Sequence, residues 1–183
     1  MSREESAYSM AVQAIGFAAL IIFIISFQCR SNRTLFMLQL IGMCLFSLQY
    51  YLLGAYSGSI SMLISIVRNI MLLRINESRC VQWKGWRWIF ISVFLIVAVV
   101  TWDGFRSSLS FLASAVSAYF YWENNAGKIR LCNLAAVCPC WMLYALISGS
   151  IGGFLNEVLI MSSILISIRR FGWKVLFDPN EQE

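Results

Sequence analysis

Two charged residues stand inside otherwise apolar stretches of this chain: Arg68 in Ile64–Leu73, and Glu157 in Ile151–Ile168. A guanidinium or a carboxyl in such surroundings needs a partner or water, and marks a solute or proton pathway by default. The two could bind a solute or pass a proton; they could equally tie two elements together as a buried salt bridge. Ser65 and Asn69 flank Arg68, and Asn156 precedes Glu157. These are candidates for a polar lining, or for hydrogen bonds that join neighbouring helices. Gln49, Tyr50 and Trp141 add an amide and an aromatic pair able to stack a flat or sugar-like solute; the same residues also suit a lipid or interfacial position. Pro139 lacks an N–H, frees a backbone carbonyl, and reads as a hinge or a static kink. Its neighbours Cys138 and Cys140 make a poor metal or redox motif, because side chains two positions apart on a helix point to different faces. There is no histidine, hence no imidazole base, metal ligand or proton switch. Most of the nine carboxylates lie in loops and tails, and no phosphate loop or nucleophile elbow is present. The pattern predicts no enzyme, no cofactor and no metal.

The elements that must hold these residues follow from composition. The chain has 183 residues, 60% hydrophobic and 13% charged, with a mean hydropathy of +0.72. A soluble domain is about 45–50% apolar and about 25% charged. The excess apolar surface must face lipid, which excludes a soluble enzyme, a disordered chain and a secreted disulfide scaffold. One membrane domain of seven spans is predicted, at 9–28, 35–56, 58–74, 87–103, 107–122, 131–148 and 150–168, each near the length needed to cross a bilayer. The first is uncleaved, because its leader carries Arg3 against Glu4 and Glu5 and a second span follows at once. The fourth and fifth are separated only by Trp102–Arg106; a tight turn is favoured there over one re-entrant helix. The six cysteines are expected as reduced thiols.

Basic residues set the orientation. Arg30 and Arg33, then Arg74, Arg79, Lys84 and Arg87, then Lys128 and Arg130, then Arg169, Arg170 and Lys174 all fall on one side, eleven of the 14 Lys and Arg. Arg3 and Arg106 fall on the other. The positive-inside rule places the N-terminus in the periplasm and the C-terminus in the cytoplasm of a bacterial inner membrane. The net charge of +5 is then a topology signal and not a nucleic-acid footprint. Trp83, Trp86, Trp88, Trp102, Trp122 and Trp173 read as an interfacial aromatic belt.

A shift of 91 residues brings the halves into step. Ser57-Gly58-Ser59-Ile60 falls on Ser148-Gly149-Ser150-Ile151, Ser26 on Ser117, Leu40 on Leu131 and Tyr50 on Trp141. The predicted organisation is repeat one at 9–74, a linker helix at 87–103, repeat two at 107–168 and a tail at 169–183. Each repeat has three spans, so the fourth span restores direction and makes the repeats parallel. By this shift Glu157 falls on position 66, which would place Arg68 and Glu157 at nearly one depth, facing each other directly or across a polar cavity.

Tyr51-Leu-Leu-Gly-Ala-Tyr-Ser-Gly through Ile66-Val67-Arg68-Asn69 to Leu73-Arg74, together with Ser148-Gly-Ser-Ile-Gly-Gly-Phe-Leu-Asn-Glu157 through Ile168-Arg169-Arg170, resembles the bacterial YgjV inner-membrane family over nearly the whole chain. That family is similar, distantly, to the SWEET, PQ-loop and nicotinamide-riboside transporter group. The resemblance implies an all-α fold of three plus one plus three spans, with a binding site near the midplane between the repeats. It also makes Asn156, with Ser65 as its mate by register, the counterpart of the asparagines beside the sugar in SWEET-like proteins. The chain departs from the group's pattern. Phe27-Gln28 keeps only the Gln of Pro-Gln, Ala118-Tyr119 has neither, and Pro139 is the sole intramembrane proline. The expected partners are the lipid bilayer and an unknown small polar solute; the pattern is also compatible with a homo-oligomer. The expected function is small-solute transport or facilitation. The alternative is a non-transporting scaffold or partner subunit, in which Arg68 and Glu157 form only a structural pair.

Overall fold

The computed structural model describes residues 3–28, 32–75, 77–123 and 125–171. Among these the regular elements are all helical: α1 (Arg3–Gln28), α2 (Asn32–Leu52), α3 (Tyr56–Leu73), a single turn α4 (Arg79–Gln82), α5 (Gly85–Val100), α6 (Phe105–Tyr121), α7 (Ala126–Cys132), α8 (Cys138–Ile147) and α9 (Ile151–Phe171). A π-helical turn, Asn133–Val137, joins α7 to α8 without a break. Each span expected from hydropathy coincides with one helix or with the continuous α7–α8 stretch. Four are long and apolar enough to cross a membrane: Ala7–Ser26, Tyr56–Leu73, Gly127–Ile147 and Ile151–Arg169. Met37–Leu52 and Gly85–Val100 are shorter apolar helices. α5 and α6 are separate helices packed side by side. The bend between them turns on Gly104, at φ +60°, and Arg106 pairs with Asp103.

Small polar residues are buried among the apolar core, and many large apolar residues face outward. Gln49, Ser61, Ser107, Ser110 and Ser114 are buried, whereas Ile96, Val99, Val100, Ile166 and Leu165 are exposed. In water this distribution would be unstable, since apolar exposure is costly and buried polar groups gain little. In lipid the preference reverses: the outer surface meets hydrocarbon, and close packing of small residues and internal hydrogen bonds hold the helices together.

Packing is cyclic. α1 lies on α2, α2 on α3, α3 on α6, α6 on α8, α8 on α9, and α9 returns to α1; α5 packs against α3 and α6. α1 and α9 approach closely: a Cβ on Gly152 would stand 2.5 Å from the backbone of Gly16.

The turns α2–α3 and α8–α9 are built alike. Leu53, Gly54 and Ala55 donate N–H to the carbonyls of Gln49, Tyr51 and Tyr50; Ser148, Gly149 and Ser150 do the same to Tyr144, Leu146 and Ala145. Gly54 and Gly149 have φ of +71° and +74°, the left-handed conformation that ends many helices and that glycine adopts without a Cβ penalty. Gly54 therefore corresponds to Gly149, a separation of 95 residues and not the 91 suggested by the Ser-Gly-Ser-Ile match. The Ser-Gly-Ser-Ile match is thus displaced by about one helical turn from the register of the two turns. Gly58 instead packs against the ring of Tyr144.

Trp83, Trp88 and Trp102 are exposed, as an interfacial belt requires, but Trp122 is buried. It donates its indole N–H to the Val81 carbonyl at 2.9 Å and stacks near Phe90, so it packs the core. Trp173, Arg30, Lys174 and the tail beyond 171 lie outside the described residues, as does Cys29. Cys44, Cys80, Cys132, Cys138 and Cys140 are free thiols.

Candidate functional site

A cavity of about 470 Å³ lies inside the helix ring, a volume within the ordinary range for small-molecule sites. Arg68, Glu157, Asn156, Asn69, Ser65 and Trp141 all line it. Gln49 and Tyr50 do not; they are buried behind it. The remaining lining is mostly apolar, including Phe23, Met43, Phe46 and Met62.

Arg68 is brought to the cavity by a stripe on α3. Ser57, Ser61, Ser65 and Arg68 recur at helical spacing and are all buried. A matching stripe on α6 holds Ser107, Ser110, Ser114 and Ser117, and the small side chains let α3 and α6 approach closely. The Arg68 guanidinium donates from Nη1 to Ser117 Oγ at 2.6 Å. From Nε and Nη2 it donates to Asn69 Oδ1 at 3.3 and 3.2 Å. Its carbon stands 5.0 Å from the centroid of the Tyr121 ring, a cation–π distance. The Tyr121 hydroxyl in turn donates to Asn133 Oδ1 at 3.0 Å. All of these acceptors are neutral.

Glu157 sits on α9 beside the Cys138 thiol and accepts from Asn156 Nδ2 at 3.3 Å. The direct Arg68–Glu157 ion pair, one of the sequence alternatives, is not formed. Among the described residues the ion pairs are Arg106–Asp103 and Lys128–Glu123, both at helix ends. Their positions along the helices agree with this. Arg68 is twelve residues past the start of α3 and Glu157 six past the start of α9. With a rise of 1.5 Å per residue the two differ in depth by about 9 Å. They stand at different levels of one cavity.

Toward the glycine turns the cavity ends on aromatic rings. Trp141 stacks on Tyr50 at 6.1 Å and meets Tyr144 edge-on at 5.4 Å. The Tyr144 hydroxyl accepts the Gly58 N–H at 2.7 Å and donates to the Ala55 carbonyl at 3.0 Å, thereby capping α3 from α8. At the other glycine turn Gln13 of α1 serves α9: its amide donates to the Gly149 carbonyl at 2.6 Å and its oxygen accepts the Ile151 N–H at 3.3 Å. Gln49 Oε1 accepts from Ser150 Oγ at 2.8 Å. In the other direction the lining reaches Gln39 near the start of α2 and Leu72 and Leu73 at the end of α3. The cavity thus extends away from the glycine turns, toward the opposite helix ends.

Pro139 lies next to this cavity, one residue past the lining Cys138. It cannot donate to the carbonyl four residues back, and the chain has widened into a π turn just ahead of it, where the Cys138 N–H bonds to the Asn133 carbonyl. Asn133, Val137 and Cys138 of this widened stretch all face the cavity. Such turns recur at functional sites.

Ser117, Tyr121 and Asn133 were not singled out from the sequence. The serine spacing on α6 was a readable signal, since it runs from Ser107 to Ser117 and ends one turn before Tyr121. Asn133 lay in an apolar stretch with nothing to mark the π turn.

Among the described residues no group of His, Cys, Asp or Glu is arranged to hold a metal. Comparison with curated proteins and with solved structures finds no match. A family model described as a bacterial inner membrane protein matches residues 10–174. With an apolar exterior, four helices able to span a bilayer and a match over almost its whole length, the chain belongs to the Imp-YgjV family of bacterial inner membrane proteins.

Proposed function

We propose that this integral inner-membrane protein is a small-solute transporter or facilitator whose site is the cavity between its two halves. One observation carries the reading: a buried arginine without a carboxylate partner and a buried glutamate line the same mostly apolar cavity. Neither charge holds the other, so each keeps a capacity for a solute or a proton. Membrane interiors tolerate such groups chiefly where they act.

The chain is read as seven spans in a three-plus-one-plus-three plan, with α5 as the linker. The cyclic packing supports this, because α3 against α6 and α9 against α1 become equivalent contacts under a twofold relation of the halves. The glycine turns then face the periplasm and the basic loops the cytoplasm, so the cavity leads toward the cytoplasmic side and the Tyr50–Trp141–Tyr144 layer closes it on the other. Pro139 and the π turn beside it form the hinge candidate.

Reconstitution tests the reading. Proteoliposomes loaded with a mixed metabolite extract should exchange at least one solute, and Glu157→Gln should abolish that exchange at unchanged yield of folded protein. A Glu157→Gln protein that exchanges as wild type, or a wild type that moves no solute from the extract, removes the transporter reading.

A further inference from the structure

The transport reading leaves the kind of solute open, and the cavity restricts it. A guanidinium has five N–H donors. Three hydrogen bonds to Ser117 and Asn69 account for three of them, so two, one on each Nη, have no described acceptor, and Arg68 lines the cavity. Arg68 is 3% exposed, and no carboxylate among the described residues neutralises it. A desolvated cation in this state is stabilised most by an anion able to accept two parallel N–H bonds, which a carboxylate does.

The rest of the lining limits that anion. Glu157 shares the cavity, about 9 Å away in depth along the helices, and it repels a second negative charge. A dianion therefore fits poorly, whether a dicarboxylate or a phosphate. Between the two levels the lining holds Met43, Ser65, Cys138 and Ile160, and Phe46, Met62 and Trp141 stand at about the level of Glu157. A hydroxyl or ammonium group at the far end of the solute would meet an acceptor in Glu157.

Resting on the transport reading, we propose that the cavity binds a small organic monocarboxylate with an apolar or aromatic body and a hydrogen-bond donor at its far end. The carboxylate sits on Arg68 and the donor on Glu157. The site orients its solute by charge, and excludes both uncharged sugars and doubly charged anions.

Four probes on protein in lipid nanodiscs test this: 3-(4-hydroxyphenyl)propionate, its uncharged amide, the dicarboxylate suberate, and inorganic phosphate. The readouts are melting temperature and intrinsic tryptophan fluorescence at millimolar ligand. The hydroxyphenyl acid should raise the melting temperature and change the fluorescence, and the other three should bind at least about tenfold more weakly. Arg68→Gln should weaken the acid about tenfold or more, and Glu157→Gln should improve suberate. Where Arg68→Gln is not monodisperse, Arg68→Lys carries the test, since it keeps the charge and loses the two-pronged fork. The proposal is overturned by an amide or phosphate that binds as well as the acid, by acid binding that is insensitive to both Arg68 variants, or by no response to the acid at all. Binding of the acid without uptake into proteoliposomes would leave the site standing and remove the transporter reading. Uptake of an uncharged solute with no response to the acid would do the opposite.

Discussion

Arg68 and Tyr144 illustrate two ways in which one residue governs this protein. Arg68 was conspicuous in the sequence because a charge in an apolar run has no cheap explanation. What could not be read was its distance from Glu157. Depth depends on where each helix begins, and the Ser-Gly-Ser-Ile identity misplaced that start by four residues. Tyr144 was silent, since in an apolar stretch a tyrosine reads as one more hydrophobic residue. Only the fold places its hydroxyl over the first turn of α3, where helix N–H groups lack partners. Tyr144→Phe should therefore leave the Gly58 N–H unsatisfied in a dry site, while the Ala55 carbonyl keeps the Ser59 N–H, costing about 1–3 kcal/mol. The check is a lower unfolding midpoint in detergent with the ring packing on Trp141 retained, seen as an unchanged tryptophan emission maximum.

At the scale of elements, the long helices were legible to within six residues at their ends, because lipid-facing segments advertise themselves by length and hydropathy. Departures came where backbone chemistry intervenes: the single turn α4, the π turn, and Trp122 drawn into the core by the Val81 carbonyl. Two glycines that look alike in sequence should behave differently. At Gly54 nothing stands near a new Cβ, so Gly54→Ala meets only the left-handed backbone penalty, about 1–2 kcal/mol. At Gly152 the added methyl meets the Gly16 backbone, which no side-chain rotation relieves. Gly152→Ala should separate α1 from α9 and cost about 1–3 kcal/mol. A double variant Gly16→Ala/Gly152→Ala should be worse than either single change. Equal midpoints for Gly152→Ala and wild type would mean that α1 and α9 are not held this close.

For the whole molecule, sequence conveyed the class; it could not convey how six helices close on themselves, because that rests on contacts between helices distant in the chain. Orientation has a direct test. In a cysteine-free background, an impermeant maleimide added to intact spheroplasts should label Asp103→Cys, with Glu77→Cys labelled only after lysis. The reverse pattern would invert the proposed topology. The π turn also bears on how the ring tolerates a change of length. There the Cys138 N–H reaches back five residues to the Asn133 carbonyl, one residue more than an α-helical turn closes. Asn133–Val137 thus carries a residue of slack ahead of Trp141 and Tyr144. Deleting Ala135 should accordingly give a folded protein with an unbroken α-helix. Deleting Leu45 from α2, which has no such slack, should rotate Gln49 and Tyr50 by about 100° and prevent folding. Among the described residues this is the one opened turn in the ring, and it faces the cavity, so the ring can change length there without turning the aromatic layer out of place.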